Sequence, residues 1–429
     1  MSSNLASRAL DGWLDPAIAF ATVVGDAGDA FWLDAGPDAA DGWSWVGTGI
    51  PSSPPREVRL SGGTDAAAGP FRGGWVGWSG YDAAARRAGA PAADDVGPAE
   101  VWLRVDRMLG FDHAARRMVA FGAEDVLDGL AAAVARAIAT GETPSPAEPP
   151  VVEVVARHDP AGYIALIEQC REEIREGRAY QLCLTTRFET AASVDPVDTY
   201  LRLRAATPAH HGGFIRSGGW ALVSASPEQF LSVSEGIVRT RPIKGTRPRS
   251  VDVVEDAALA AELRGSEKEQ AENVMIVDLM RNDLQRVCET GTVAAERLLE
   301  VESYPAVHQL VSTVAGRVRP GTTVGDLWNA AFPAGSMTGA PKLSAMQILH
   351  RLEGAPRGVF AGCFGWVGSD GGLDLAMVIR SIVTHPGGAY VGAGGGITWG
   401  SIAADEVAEV GIKARAPLRA LGAELPPGW

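Results

Sequence analysis

Basic residues are scarce in this chain, as are cysteines and long apolar runs. Lys and Arg number 38 against 52 Asp and Glu, a formal net charge of −14 over 429 residues. That balance argues against nucleic acid and against an anionic membrane as partners, because both call for a basic surface. Four cysteines occur, Cys170, Cys183, Cys288 and Cys363, with no CxxC pair. They fit reduced, mostly buried thiols in a cytoplasmic protein. No apolar run is long enough to span a bilayer, and Met1–Arg8 lacks the apolar core of a signal peptide, so the expected location is the cytosol. What remains is an ordinary globular composition, 46% hydrophobic and 21% charged, long enough for two or three average domains or one large one.

Residues 1 to about 123 alternate short apolar runs with Gly, Asp and Pro, the pattern of strands and turns. Segments 30–34 and 73–78 are the clearest strands, and their tryptophans read as core. The spacing predicts a helix over 124–139 with Val126, Leu127, Leu130, Val134 and Ile138 on one face. The Pro-rich stretch 143–150 is the one clear linker, dividing an N-terminal region (1–142) from a motif-dense remainder (151–425). Beyond it, Asp159-Pro160 starts a helix, with Asp as N-cap and Pro at the first helical position. Tyr163, Ile164, Ile167, Cys170 and Ile174 form its expected buried stripe, and a strand is expected over 180–188.

The stretch 241–249 packs four cations into nine residues of an otherwise acidic protein. Lys244, between an apolar residue and Gly245, has the setting of a lysine that can lose its proton and act as nucleophile or base. Segment 220–228 reads as a strand that leaves Glu228 at its terminus, and 237–244 as a second strand; a hairpin between them would bring Glu228 to Lys244. A helix is expected over 266–287, with Val274, Val277, Met280 and Leu284 apolar and with Glu269, Glu272 and Asp283 as carboxylates. A metal held there by hard oxygens and retained waters would be magnesium. His308, alone in an apolar segment, reads as a hydrogen-bonded core residue.

Segment 332–342 is a small-residue loop opening a helix over 343–352, suited to an anion, with Lys342 adding charge. It lacks the Gly-Lys-Ser/Thr spacing of a phosphate-binding loop, so the anion is a carboxylate sooner than a nucleotide. Arg380 sits in an expected buried strand, 376–383, where a bidentate carboxylate ligand would suit it. Segment 391–397 runs into Gly394, Gly395 and Gly396, which can cradle an anion but do not match GxGxxG. Glu406 and Glu409, three apart on a closing helix, share a face. These groups together describe an enzyme acting on a small polycarboxylate.

In this order the motifs resemble those of the chorismate-utilising enzymes. Ser226-Pro227-Glu228, 242–249, Glu272 through 277–283, 301–308, 332–342 and Ile379-Arg380 carry the resemblance, which is clear from about Asp159 to Ala420. It implies an α+β fold, a sandwich of two antiparallel β-sheets with helices packed outside, to which the N-terminal region contributes. It also implies that Lys244 attacks C2 of chorismate while Glu228 serves as general acid/base. Glu272 and Glu409 would ligate Mg2+ with Glu406 nearby. Arg380, Gly394, Gly395, Gly396, His308, Thr338 and Lys413 would line the substrate site. Lysine at 244 points to the branch that forms 4-amino-4-deoxychorismate, aminodeoxychorismate synthase component I; anthranilate synthase component I, and a non-catalytic chorismate-binding subunit, are the alternatives. Gln181 stands where the water-adding branches carry a lysine. No Gly-x-Cys-x-Gly elbow occurs, so ammonia is expected from a separate glutamine amidotransferase subunit in a heterodimer.

Overall fold

A computed structural model describes residues 5–61, 68–304 and 307–429. Positions 1–4 of the N-terminal stretch and 305–306 of the segment around His308 thus lie outside the described residues. Every strand pairing is antiparallel. One layer runs through the strands Ala30–Asp34, His211–Ser217, Trp220–Ser226, Ser381–His385, Gly388–Ile397 and Gln181–Thr190, each paired with the next. The second runs through Gly74–Ser79, Cys363–Gly368, Leu373–Met377, Gln229–Ser234, Ile237–Thr240 and Val307–Arg317. The long strand Glu100–Asp112 pairs with both Trp43–Ser52 and Gly74–Ser79, so the two layers are continuous.

Apolar residues from both layers, among them Phe31, Trp78, Leu103, Ile215, Leu222, Phe364 and Val383, form the core between them. Two further cores lie where helices cover the outer faces, one around Tyr163, Ile167 and Val410, the other around Ile276, Met280 and Trp328. The fold is the expected helix-covered antiparallel sandwich. Trp32, Trp78 and Trp102 are fully buried in it, and all four cysteines are free and buried.

Local patterns translate into structure with some shifts. The helix Glu124–Thr140 buries Leu127, Leu130, Val134 and Ala137, while Ile138 is 43% exposed. In Pro160–Arg175 the N-cap Asp159 accepts a hydrogen bond from the Gly162 N–H (2.6 Å), and Ile164 faces solvent. The helix Glu267–Gln285 is capped by Ser266 and buries Glu272, Asn273, Ile276, Val277, Met280, Asp283 and Leu284. Val274 is off that face, 44% exposed, because the helix turns its acids rather than this valine toward the sheet. The expected strand 237–244 is two strands, Ile237–Thr240 and Ile243–Pro248. The break falls at Arg241-Pro242, where proline has no N–H for the ladder. The expected strand 376–383 is interrupted as well: Leu373–Met377 ends before Arg380, whose φ of 53° is incompatible with a strand, and Ser381–His385 begins after it.

Candidate active site

The connection Pro227-Glu228 carries the chain from the first layer to the second, since Trp220–Ser226 pairs in one and Gln229–Ser234 in the other. Glu228 is thereby buried at the crossover, 8% exposed. The strand Ile243–Pro248 pairs with Val307–Arg317, which also pairs with Ile237–Thr240. Glu228 and Lys244 therefore meet through this shared strand rather than through one hairpin. Gly245, with φ of 78°, is a bulge in that pairing that re-aims Lys244.

Lys244 Nζ lies 3.5 Å from Glu272 Oε2. Burial alone lowers the Lys244 ammonium, but Glu272, with smaller help from Cys183, Glu228 and Glu409, raises it above the usual lysine range. Burial pushes the Glu228 carboxyl up to about 7, against the opposing pull of Lys244, the Ser336 hydroxyl and Lys413. The Ser336 Oγ donates to Glu228 Oε1 at 3.1 Å. A cation and a raised carboxyl thus lie close enough to act on each other's charge.

The glycine strand packs directly against these groups because nothing larger fits. A methyl group on Gly396 would lie 2.3 Å from Gln181 Nε2 and 3.2 Å from Lys244 Nζ. One on Gly395 would lie 3.0 Å from Glu406 Oε2, and one on Gly394 2.4 Å from the Leu184 carbonyl. Lys413 Nζ donates to the Gly394 carbonyl at 2.9 Å and reaches Glu409 Oε1 at 2.7 Å. Glu406 is buried and Glu409 half exposed, both on the helix Ala403–Leu421. Burial raises the Glu406 carboxyl and would raise that of Glu409, but Lys413 and Lys244 hold Glu409 below its usual value. Arg380 is half-buried; burial lowers it, Glu409 alone opposes this, and its guanidinium meets no carboxylate at ion-pair distance among the described residues. Among the described residues no three Asp, Glu, His or Cys side chains are gathered closely enough to hold an ion unaided.

Three residues expected at the site have protein partners of their own. His308 accepts or donates at both ring nitrogens, to Ser303 Oγ (2.7 Å) and Asp256 Oδ1 (3.0 Å), and so ties the helix Val253–Gly265 to the sheet. The Thr338 hydroxyl is turned back onto the Ala334 and Gly335 carbonyls. Lys342, expected to add charge to an anion loop, is buried against Asp283 Oδ2 at 2.5 Å and the Pro333 carbonyl at 2.9 Å. Its ammonium is engaged by that carboxylate and by the loop's own carbonyl. Sequence reasoning passed over Ser336 as an individual partner of Glu228 and gave no role to Glu353 and Arg357.

A family profile described as chorismate binding enzyme matches residues 43–419. The chain belongs to the chorismate-binding enzyme family. Among similar members, an aminodeoxychorismate synthase of Streptomyces griseus is 42% identical over 83% of this chain and 51% of its own length. An aminodeoxychorismate synthase component 1 of Klebsiella aerogenes is 38% identical, covering 79% of this chain and 75% of its own. An anthranilate synthase component 1 of Streptomyces coelicolor is 40% identical over 82% and 73%. The chain spans about half the length of the two aminodeoxychorismate synthases of Streptomyces that it matches. The crystal structure of anthranilate synthase component I from Streptococcus pneumoniae superposes with a TM-score of 0.74 at 30% identity, over 87% of this chain and 92% of that one. The residues around Lys244 thus sit in the scaffold of a chorismate-binding enzyme.

Proposed function

We propose that this chain is the chorismate-aminating component of an aminodeoxychorismate synthase, forming 4-amino-4-deoxychorismate for p-aminobenzoate or a related secondary product. The observation that supports this reading above others is a lysine amine, Lys244 Nζ, on a side chain only 15% exposed, set among Glu272, Glu228 and the Gly396 backbone. Its proton is held chiefly by Glu272; once that carboxylate is committed elsewhere, burial favours the neutral amine. The amine then bonds to C2 of chorismate, both conjugated ring double bonds shift toward C4, and the C4–O bond breaks. Glu228, whose carboxyl is raised to about 7 and so keeps its proton in a large share of molecules at neutral pH, supplies the proton that lets the hydroxyl leave as water. Ammonia adds at C4 in the reverse sense and expels the lysine. Arg380, with no carboxylate at ion-pair distance among the described residues, and the Gly394–Gly396 backbone would take the enolpyruvyl carboxylate.

Magnesium fits the donor set: Glu272 and Glu409 offer hard oxygens from two helices, Glu406 lies one turn away, and each now leans on a lysine. Because no three ligands are gathered beforehand, water and substrate oxygens would complete the shell. When bound, the ion would offset the charge of the ring carboxylate. Ammonia would come from a separate glutamine amidotransferase, and the cytoplasm is the compartment that fits four free thiols. No helix among the described residues is long and apolar enough to cross a membrane.

The 40% identity to an anthranilate synthase component 1 keeps that activity as the second reading. Mass spectrometry of the product from chorismate, magnesium and an ammonium salt at alkaline pH separates the two. Aminodeoxychorismate, yielding p-aminobenzoate only when a lyase is added and lost in Lys244→Ala, is the expected outcome. Fluorescent anthranilate with pyruvate would assign the tryptophan branch instead. Unchanged chorismate, even with an amidotransferase and glutamine, would leave a binding subunit.

A further inference from the structure

Behind the site lies a buried ion pair that the chemistry above does not use. Arg357 is 2% exposed, and Glu353, the last residue of the helix Lys342–Glu353 four positions before it, 6%. We propose that the Glu353–Arg357 pair is a positioning device, tying the strand that carries Gln181 to the loop that carries Ser336, and so fixing how Ser336 meets Glu228. Its consequence for catalysis rests on the reading of Glu228 as the proton donor to chorismate.

Four of the five N–H groups of the guanidinium are engaged. Nε donates to Glu353 Oε2 at 2.8 Å, and Nη2 to Glu353 Oε1 at 2.7 Å. Nη1 donates to the Met337 carbonyl at 2.6 Å, and Nη2 also to the Cys183 carbonyl at 2.7 Å. Glu353 Oε1 in turn accepts from the Thr185 N–H and hydroxyl, both at 2.9 Å. Met337 follows Ser336 directly, and Cys183 lies two residues from Gln181 on the strand paired with the glycines. One planar cation thus joins that strand and the Ser336 loop through their backbones. The Tyr81 ring supports it from below, with the guanidinium carbon 4.2 Å from the ring centroid.

A buried ion pair is a weak source of net stability, because the desolvation of two charges offsets their attraction. A planar, bidentate geometry between two carbonyls is what arginine supplies and lysine cannot. Arg357→Lys keeps the charge beside Glu353 and loses the fork, so it isolates position from charge.

The test titrates the Glu228 carboxyl by 13C NMR in glutamate-labelled full-length protein, with Glu228→Gln to assign the signal, alongside the pH profile of kcat/KM for chorismate. The groups facing Glu228 are Lys244 from the neighbouring strand, Lys413 from the C-terminal helix and the Ser336 hydroxyl from the loop. Of these the clamp reaches the Ser336 contact most directly, through the carbonyl of the next residue, Met337, and losing that contact frees the carboxyl to rise. Arg357→Lys is expected to remain folded, to move the Glu228 midpoint upward by about half a pH unit, and to lower kcat by about 100-fold with little change in KM. Ser336→Ala should move the midpoint the same way, and the double variant no further. A folded Arg357→Lys protein with an unmoved midpoint overturns the proposal, as does a shift that adds in full to that of Ser336→Ala. If Arg357→Lys does not fold, Thr185→Val, which removes one hydrogen bond on Glu353, carries the test with a smaller upward shift; no shift there overturns the clamp. Wild-type protein that leaves chorismate unchanged while the NMR coupling persists would overturn the functional reading alone.

Discussion

Glu228 owes its chemistry to burial. An exposed glutamate would be fully ionised at neutral pH, and its crossover between the two layers removes it from water and raises it to about 7. As the proton donor it works only in the protonated form. The kcat/KM for chorismate, which reports the free enzyme, is therefore expected to fall as pH rises through about 7. Glu228→Gln should abolish that limb and slow turnover by about 100-fold or more. A limb that survives in the Gln variant would assign the proton transfer to another group. Nothing local to Ser226-Pro227-Glu228 announces this burial; the motif was legible as a strand end, and only the switch of layers makes it a site. His308 shows the opposite case. Its expected reading as a satisfied core histidine is what its bonds to Ser303 and Asp256 amount to, and the family resemblance alone pointed it at substrate.

The elements were legible where their signals are local. Asp159-Pro160 caps its helix because cap and proline act within one turn, and the 3.6-residue repeat located the helices at 124–140 and 267–285 within a few residues. The pattern failed where a polar side chain belongs to the buried face. Glu272, Asn273 and Asp283 occupy it in place of Val274, because a partner far along the chain receives them: Lys244, Ser312 and Lys342. No window of sequence contains those partners. Two predictions belong here. Gly396→Ala keeps an ordinary strand backbone but drives a methyl into Gln181 and Lys244. We expect a folded protein by circular dichroism whose chorismate turnover drops about 100-fold, the cost of a displacement near 1 Å; wild-type turnover would mean that the glycine strand does not border the reacting groups. Lys342→Met leaves Asp283 buried without its cation. Urea denaturation should register a loss of about 3–5 kcal/mol, and a loss under about 1 kcal/mol would place that pair in solvent.

At the scale of the molecule, the Pro-rich segment 143–150 looks like a boundary and the pairing of strands crosses it. Ala30–Asp34 lies against His211–Ser217, and Gly74–Ser79 against Cys363–Gly368, so strands from before the linker complete both layers after it. Their side chains share the central core with the C-terminal strands. A fragment starting at residue 151 would carry two open sheet edges and half a core. It is expected to be insoluble or unfolded, since such edges invite intermolecular pairing. A nick in the linker is a different matter, because it breaks no pairing. Glu142 and Glu148 are exposed there, while Pro150 and Val152 are held by contacts with Gly422. Limited cleavage by a glutamate-specific protease should yield two pieces that co-elute in size-exclusion chromatography, unfold in one transition and keep turning over chorismate. Separation of the pieces without denaturant would make the N-terminal region an independent unit, and the continuity of the sheets through Glu100–Asp112 would then carry little of the stability.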